Sequence, residues 1–218
     1  MAKEASGSLR VTEVFYSLQG EANTVGWPTV FIRLTGCPLR CHYCDTPYAF
    51  AGGEKRAIED LLAETLAYGC RYVTVTGGEP LAQPECLILL KALAEQNLDV
   101  SLETSGAFDI RAVDPRVAIV MDLKTPGSGE MARNCYDNIA HLKPIDQVKM
   151  VLSDAEDYHW AKQILAKYDL AARCTVLFSP VFEKMSPTQL AEWILADRLP
   201  VRMQIQLHKL LWGETPGR

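Results

Sequence analysis

The sequence predicts an α/β fold, a mostly parallel sheet wound with helices into an open sheet or a partial, incomplete β/α barrel. Two observations carry this. Short β-branched runs bounded by turn residues alternate with stretches of helical periodicity, the order expected of repeated strand–helix–strand units. The 218 residues suffice for one sizeable core but fall short of the roughly 250 of a full eight-fold barrel. No internal repeat or low-complexity linker divides the chain. A flexible tail is expected over residues 1–8 and a single domain over 9–218.

Each element follows from its local pattern. "VTEVFYSL" (11–18) and "TVFIRLT" (29–35) read as strands joined by a Gly/Pro-rich connection. Ile58, Leu61, Leu62, Thr65 and Leu66 then share one face at helical spacing. "YVTVTGG" (72–78) is the next strand, followed by a helix over 84–96 carrying Leu90, Leu93 and Ala94 inward. "DVSLETSG" (99–106), "VAIVMDLK" (117–124) and "QVKMVLS" (147–153) continue the strands, several of them near-continuously apolar, as strands covered on both faces are. Ser153 with Glu156 forms a capping box ahead of a helix over 155–168. "CTVLFSP" (174–180) is a strand, and Ser186, Pro187 and Gln189 start a helix over 188–197 with proline at its first position. "VRMQIQLH" (201–208) reads as the last strand.

Composition narrows the function. Twenty-two basic against 27 acidic residues give a net charge of −5. With no Lys/Arg block, the chain lacks the usual footprint of a nucleic-acid or membrane binder. No apolar run approaches the roughly 18 residues of a membrane span, and "MAKEASGSLR" lacks the apolar core of a signal peptide. A cytoplasmic location is therefore expected, where seven cysteines stay reduced and a tight cluster points to a metal or catalytic site. Cys70, Cys86, Cys135 and Cys174 are scattered through apolar or helical segments and read as buried small side chains.

In parallel α/β folds ligands collect at the carboxyl ends of the strands, and here each such end is chemically unusual. The strand 29–35 runs into Cys37, Cys41 and Cys44, spaced C-x3-C-x2-C; later ends carry Thr76-Gly77-Gly78-Glu79-Pro80, Glu103-Thr104-Ser105-Gly106 and Asp122-Leu123-Lys124. Structural zinc asks for four tetrahedral ligands, and this loop has only three cysteines and no second pair, with His42 squeezed between two of them. A C-x2-C redox pair leaves Cys37 unexplained. A [4Fe–4S] cluster held by three thiolates fits better, because it leaves one iron open to a substrate or cofactor.

The cysteine spacing, with Tyr43 just before the last cysteine, followed on the next strand by "TGGEP", resembles the signature of radical S-adenosylmethionine (SAM) enzymes. "SLQGE" before the cysteines, "CDT" after them, "LETSG", "MDLKTPGSG" and "QLHKLLWG" extend the resemblance over nearly the whole chain, to the 7-carboxy-7-deazaguanine synthase family. The resemblance implies a radical SAM-type partial barrel, a [4Fe–4S] cluster, S-adenosylmethionine and Mg2+. It implies ring contraction of 6-carboxy-5,6,7,8-tetrahydropterin with loss of ammonia, in deazapurine and queuosine biosynthesis, with the adenosyl radical taking hydrogen from C6 and S-adenosylmethionine regenerated. It implies a homodimer and an external one-electron, flavodoxin-like reductant, with no nucleic acid or membrane as partner.

Residue by residue, the resemblance gives Cys37, Cys41 and Cys44 to the cluster and Thr46 to magnesium, with Asp45 anchoring the loop. Tyr43, Gly77, Gly78, Glu79, Asp122, Leu123 and Lys124 match segments that hold S-adenosylmethionine, the glycines admitting the methionine moiety and Glu79 accepting from its ammonium. Gln19 and the backbone at Leu18 and Gly20 suit the donor–acceptor edge of a pterin, and Arg33 suits its carboxylate. Thr76, Glu103 and His208, the last on the final strand, complete the pocket. The short spacing between the first two cysteines departs from relatives with a long insertion there, and "FSPVFE" (178–183) offers only Ser179 as a small polar group. "GETPGR" at the end is a candidate to close over the pocket. Two rivals stand beside this reading: an activase that generates a glycyl radical on a partner protein, and a non-enzymatic metal-binding module.

Overall fold

The hairpin at the start of the domain sets the edge of the sheet. In the computed structural model, which describes residues 6–217, β1 (Ser8–Leu18) pairs antiparallel with β2 (Pro28–Leu34) and, on its other side, with β3 (Glu54–Ala57). Residues 1–5, most of the expected tail, lie outside the described residues, and Ser8 already opens β1. From β2 onward every pairing is parallel. β4 (Tyr72–Gly77), β5 (Asp99–Thr104), β6 (Ala118–Asp122), β7 (Gln147–Leu152), β8 (Thr175–Pro180) and β9 (Arg202–Met203) follow in chain order, giving β3-β1-β2-β4-β5-β6-β7-β8-β9. β3 and β9 are the two edges, so the sheet is a barrel left open.

The helices are α1 (Ile58–Ala67), α2 (Cys86–Ala94), α3 (Ala155–Lys167), α4 (Pro187–Asp197) and α5 (Leu207–Trp212). Strand parity divides the sheet into two faces. Val30 and Ile32 of β2, Val75 of β4, Leu102 of β5, Met121 of β6 and Met150 of β7 are buried in one core with Leu61, Leu90 and Ala161 of the helices. Residues of the opposite parity, among them Arg33, Thr76, Glu103, Asp122 and Lys149, face a cavity instead. The strands are thus not apolar on both sides as expected. Their alternation is real, and the polar half of it is the site.

Several expectations change in detail. The segment 201–208 contributes only two residues to the sheet. Gln204 N still donates to Phe178 O, but Leu207 N turns to Gly20 O at 3.0 Å and α5 begins, so His208 sits on a helix. β3 is missing from the expectation because "EKRA" is short, charged and at an edge. The connections 105–117 and 123–146 carry no α-helix but turns and short 3-10 segments, in keeping with their prolines and glycines. Ser153 does not cap α3; Asp154 does, accepting from Asp157 N at 3.0 Å, while the Ser153 hydroxyl has no partner among the described residues. Ser186 caps α4 as expected, with Pro187 in its first turn. On α1, Ile58, Leu61 and Thr65 are buried but Leu66 is exposed. Cys86 and Cys174 are buried, whereas Cys70 and Cys135 are only partly so, the Cys70 thiol donating to Pro28 O. No helix of the described residues is long and apolar enough to cross a membrane.

Candidate active site

A cavity of about 390 Å3 opens at the carboxyl ends of β2 and β4–β7, the size of a small-molecule site. The cysteine loop forms one rim. It leaves β2 through Thr35, whose N–H donates to Arg10 O and whose hydroxyl shares a hydrogen bond with Thr12. Gly36 N donates to Ala49 O at 2.8 Å, which closes the base of the loop. Cys37, Cys41, Cys44 and Thr46 all line the cavity, with the Thr46 hydroxyl 4.0 Å from Cys44 Sγ. Among the described residues, no three His, Cys, Asp or Glu side chains are grouped to hold a single ion. Burial pushes the Cys41 thiol up to about 11 and raises that of Cys37.

The "GGEP" turn packs directly on this loop. A Cβ on Gly77 (φ +146°) would lie 2.2 Å from Leu34 O, and one on Gly78 would lie 2.3 Å from Gly36 O and 2.8 Å from Cys37 Cβ. The glycines are therefore required by the approach of β4 to the cysteine loop, before any ligand is considered. Glu79 corrects the expectation. Its side chain is fully buried and does not line the cavity. Its carboxylate accepts from Leu81 N (2.9 Å), Thr104 Oγ1 (2.9 Å), Ser105 N (2.6 Å) and the Ser105 hydroxyl. With its acceptors spent on β5, it clamps two strand ends together and has nothing left for an ammonium.

The far wall is a charged network. Asp122 takes Lys124 Nζ at 3.0 Å and stands 3.7 Å from Lys149 Nζ; its Oδ1 is buried with no partner among the described residues. Lys149 Nζ donates to Glu21 Oε2 at 2.6 Å, and Gln206 Nε2 donates to both Glu21 Oε1 (2.8 Å) and Asp45 Oδ2 (3.0 Å). Desolvation works against the Lys149 charge, but Glu21, Asp122 and Glu103 outweigh it and hold its ammonium well above the ordinary value. Leu123, between Asp122 and Lys124, points the other way into the core, so strand parity removes it from the site.

On the opposite wall, Arg33 Nε donates to Glu13 Oε1 at 2.7 Å, its only hydrogen bond among the described residues. Its guanidinium lies 5.5 Å from the Phe15 ring and 5.8 Å from that of Tyr48. Phe15 stacks on Phe31 at 4.8 Å. Thr76 Oγ1 donates to Glu103 Oε2 at 2.9 Å, and burial raises the Glu103 carboxyl above its usual range, with nearby Glu21 adding to the effect of burial. Gln19 lines the cavity, yet its amide already bonds Thr74 Oγ1 (3.0 Å) and Glu21 N (3.2 Å), and Gly20 O accepts from Leu207 N. Leu18 is a ladder residue opposite Pro28 and does not reach the cavity. His208 presses against Gly20, where a Cβ would lie 2.0 Å from its Nδ1; burial depresses its imidazole. Asp45 ties the cysteine loop to α5 through Gln206 and, at 3.7 Å, Lys209. Ser179 is buried away from the cavity; Val181, Phe182 and Glu183 line it instead, as does Glu214 of the final segment.

Sequence reasoning missed Glu21, Lys149, Gln206 and Glu13. Parity is the signal that finds Lys149, since 147, 149 and 151 share the face of Asp122.

The Radical SAM superfamily matches residues 31–121, the stretch from within β2 through nearly all of β6. A 7-carboxy-7-deazaguanine synthase of Chlorobaculum tepidum is 45% identical over 94% of this chain and 94% of its own length. Proteins of the same name from Koribacter versatilis and Methanospirillum hungatei are 38% and 37% identical, each over 96% of this chain. The crystal structure of QueE from Escherichia coli superposes with a TM-score of 0.77 over 95% of this chain at 24% identity. Streptococcus suis SuiB bound to S-adenosylmethionine reaches 0.52 over 78% at 14% identity. At these identities the two structures establish the fold, an open α/β barrel of the radical SAM type.

Proposed function

Since the chain belongs to the 7-carboxy-7-deazaguanine synthase family of radical SAM enzymes, we propose that it contracts the ring of 6-carboxy-5,6,7,8-tetrahydropterin to 7-carboxy-7-deazaguanine with loss of ammonia. The observation that carries this is the cavity itself. Three thiols, a network of paired carboxylates and lysines, and an aromatic-flanked arginine all line it. A [4Fe–4S] cluster with S-adenosylmethionine, once bound, supplies one-electron, hydrogen-abstracting chemistry.

The chain's own residues divide the remaining work. Cys37, Cys41 and Cys44 hold the cluster. Tyr43, Gly77, Gly78, Asp122 and Lys124 flank the cofactor, and the unpartnered Asp122 Oδ1 supports this as an acceptor aimed at a ligand donor. Arg33, steered by Glu13 and braced by Phe15 and Tyr48, takes the substrate carboxylate. Glu103 presents Oε1, the oxygen that Thr76 does not bond, to the pterin edge beside Gln19, Gly20 and His208. Thr46, on the same loop as the cysteines and lining the cavity, would be a ligand for Mg2+, a cation that keeps its waters and borrows ligand oxygens, and which would supply charge to offset an anionic substrate. A homodimer in the cytoplasm, fed by an external one-electron carrier, completes the proposal.

The test is a strictly anaerobic incubation of reconstituted protein with S-adenosylmethionine and 6-carboxytetrahydropterin, with and without Mg2+. Deazaguanine product that depends on all three cysteines is expected. An intact cluster with no product would defeat the substrate assignment and leave the superfamily standing.

A further inference from the structure

Within the cysteine loop the last two cysteines share one backbone hydrogen bond, Cys44 N to Cys41 O at 3.2 Å; others lie before them, Leu39 N to Cys37 Sγ at 3.4 Å and Arg40 Nη1 to Cys37 O and Leu39 O, both at 2.7 Å. Residues 40–43, which surround and separate the last two cysteines, are held instead by the connection after β6. His42 N donates to Ser128 O at 3.0 Å, and His42 Nδ1 lies 3.3 Å from Gly127 O. Arg40 N donates to Glu130 Oε1 at 2.6 Å, and the Tyr43 hydroxyl donates to Val151 O of β7 at 3.2 Å and stands 3.4 Å from Thr125 Oγ1. Gly129 (φ +78°) has no room for a side chain, since a Cβ would lie 2.8 Å from the His42 ring.

That connection is itself tightly fixed. The Ser128 hydroxyl donates to Thr125 O and accepts from Glu130 N. Beneath it lies Asp157, fully buried in the first turn of α3, which accepts from Gly127 N at 2.7 Å and Ser153 N at 2.8 Å. Gly127 is pressed so close that a Cβ would meet Asp157 Oδ2 at 2.5 Å. Asp157 does not line the cavity.

We propose that the 125–130 connection is a preformed latch that holds Cys41 and Cys44 in place before any cluster is bound, and that Asp157 is the positioning residue that sets it. Cys37 makes no direct contact with the latch: β2 and the packing of Gly78 fix it, and the Arg40 guanidinium donates to its carbonyl at 2.7 Å. The proposal rests on the reading that the three cysteines hold the cluster. Its physical content is preorganisation: the binding free energy of the cluster is not spent on ordering the loop.

Trypsin separates the two groups of thiols, because cleavage at Arg33, Arg40 and Lys55 leaves Cys37 on 34–40 and Cys41 with Cys44 on 41–55. The metal-free full-length chain is pulsed with iodoacetamide and the peptides are quantified by mass spectrometry, with Cys70 as internal reference. Asp157→Asn turns an amide donor toward one of the two N–H groups; His42→Ala removes the ring from Gly129. Each variant is expected to raise alkylation of 41–55 by about five- to tenfold, the factor for losing roughly one net hydrogen bond, with 34–40 and Cys70 unchanged. After anaerobic reconstitution the same variants should lose iron faster on gel filtration. Equal rates in variants and parent overturn the latch. So does a rise shared by all peptides with a fall in melting temperature, which is general loosening. If the parent chain takes up no iron although the alkylation contrast is present, the cluster reading fails and the proposed purpose of the latch fails with it.

Discussion

The Glu103 carboxyl shows how much of the site is decided by single side chains. Burial raises its folded-state value above that of the unfolded chain, where a glutamate titrates near ~4.3. Its folded form therefore holds the proton more tightly. Stability from the neutral acid is fully present below about 4.3 and is lost as pH rises through the folded value. Glu103→Gln keeps the Thr76 hydrogen bond and never titrates. Thermal unfolding across pH should show the variant level with the parent near about pH 4 and increasingly more stable toward neutrality; a constant difference would remove the burial cost. Lys149 carries the opposite risk. It stands 2.6 Å from Glu21, with the lysine side chain 12% and the glutamate 9% exposed, so Lys149→Met leaves a nearly buried anion without its cation and should cost about 3 kcal/mol by urea unfolding, much of it restored by adding Glu21→Gln. Neither role is legible in "QVKMVL" or "SLQGE" alone. The cysteines could be read because their spacing is itself the chemistry. Glu79 misled because a carboxylate beside two glycines reads the same whether it faces a ligand or Thr104 and Ser105.

Among the elements, α5 and β3 are the ones the sequence concealed. Val201, Met203, Ile205 and Leu207 alternate like a strand, and only tertiary contacts with Gly20 and Glu21 end the pairing after Met203. The buried strands and the capped helix α4 were legible because period and cap agree there with packing. β3 was not, since an edge strand needs no apolar face. The placement of α5 gives a prediction. Gly20→Ala puts a Cβ 2.0 Å from His208 Nδ1 and should push α5 away from the cavity. Limited proteolysis near the carboxyl end should quicken and the KM for substrate rise by about tenfold, the scale of losing one or two hydrogen bonds. Adding His208→Ala should slow that proteolysis again. If the double variant is cleaved as fast as Gly20→Ala alone, the collision is not what releases the helix.

Taken as a whole molecule, the open sheet has the segment after β9 joined to the loops after β1 and β2 by single hydrogen bonds of Gln206 and Leu207 rather than by strand pairing. The cysteine loop follows β2, Asp122 and Lys124 follow β6, and Gln206 brings in the carboxyl end through Asp45 and Glu21. A ligand spanning this rim touches segments far apart in the chain, so its binding should stabilise the global fold and not one loop. For a ligand bound only by the folded state at roughly 100 times its Kd, linkage gives about 2.7 kcal/mol. In a chain of 218 residues that is a rise of roughly 5–10 °C in melting temperature. S-adenosylmethionine added to the anaerobically reconstituted protein should produce it. Removing iron with a chelator, or replacing Cys37, Cys41 and Cys44 together by alanine, should abolish most of the rise while leaving the core strands folded by circular dichroism. An equal rise in the cysteine-free protein would mean that the cofactor binds without the cluster loop. In that case the three thiols would not be what joins S-adenosylmethionine to the fold.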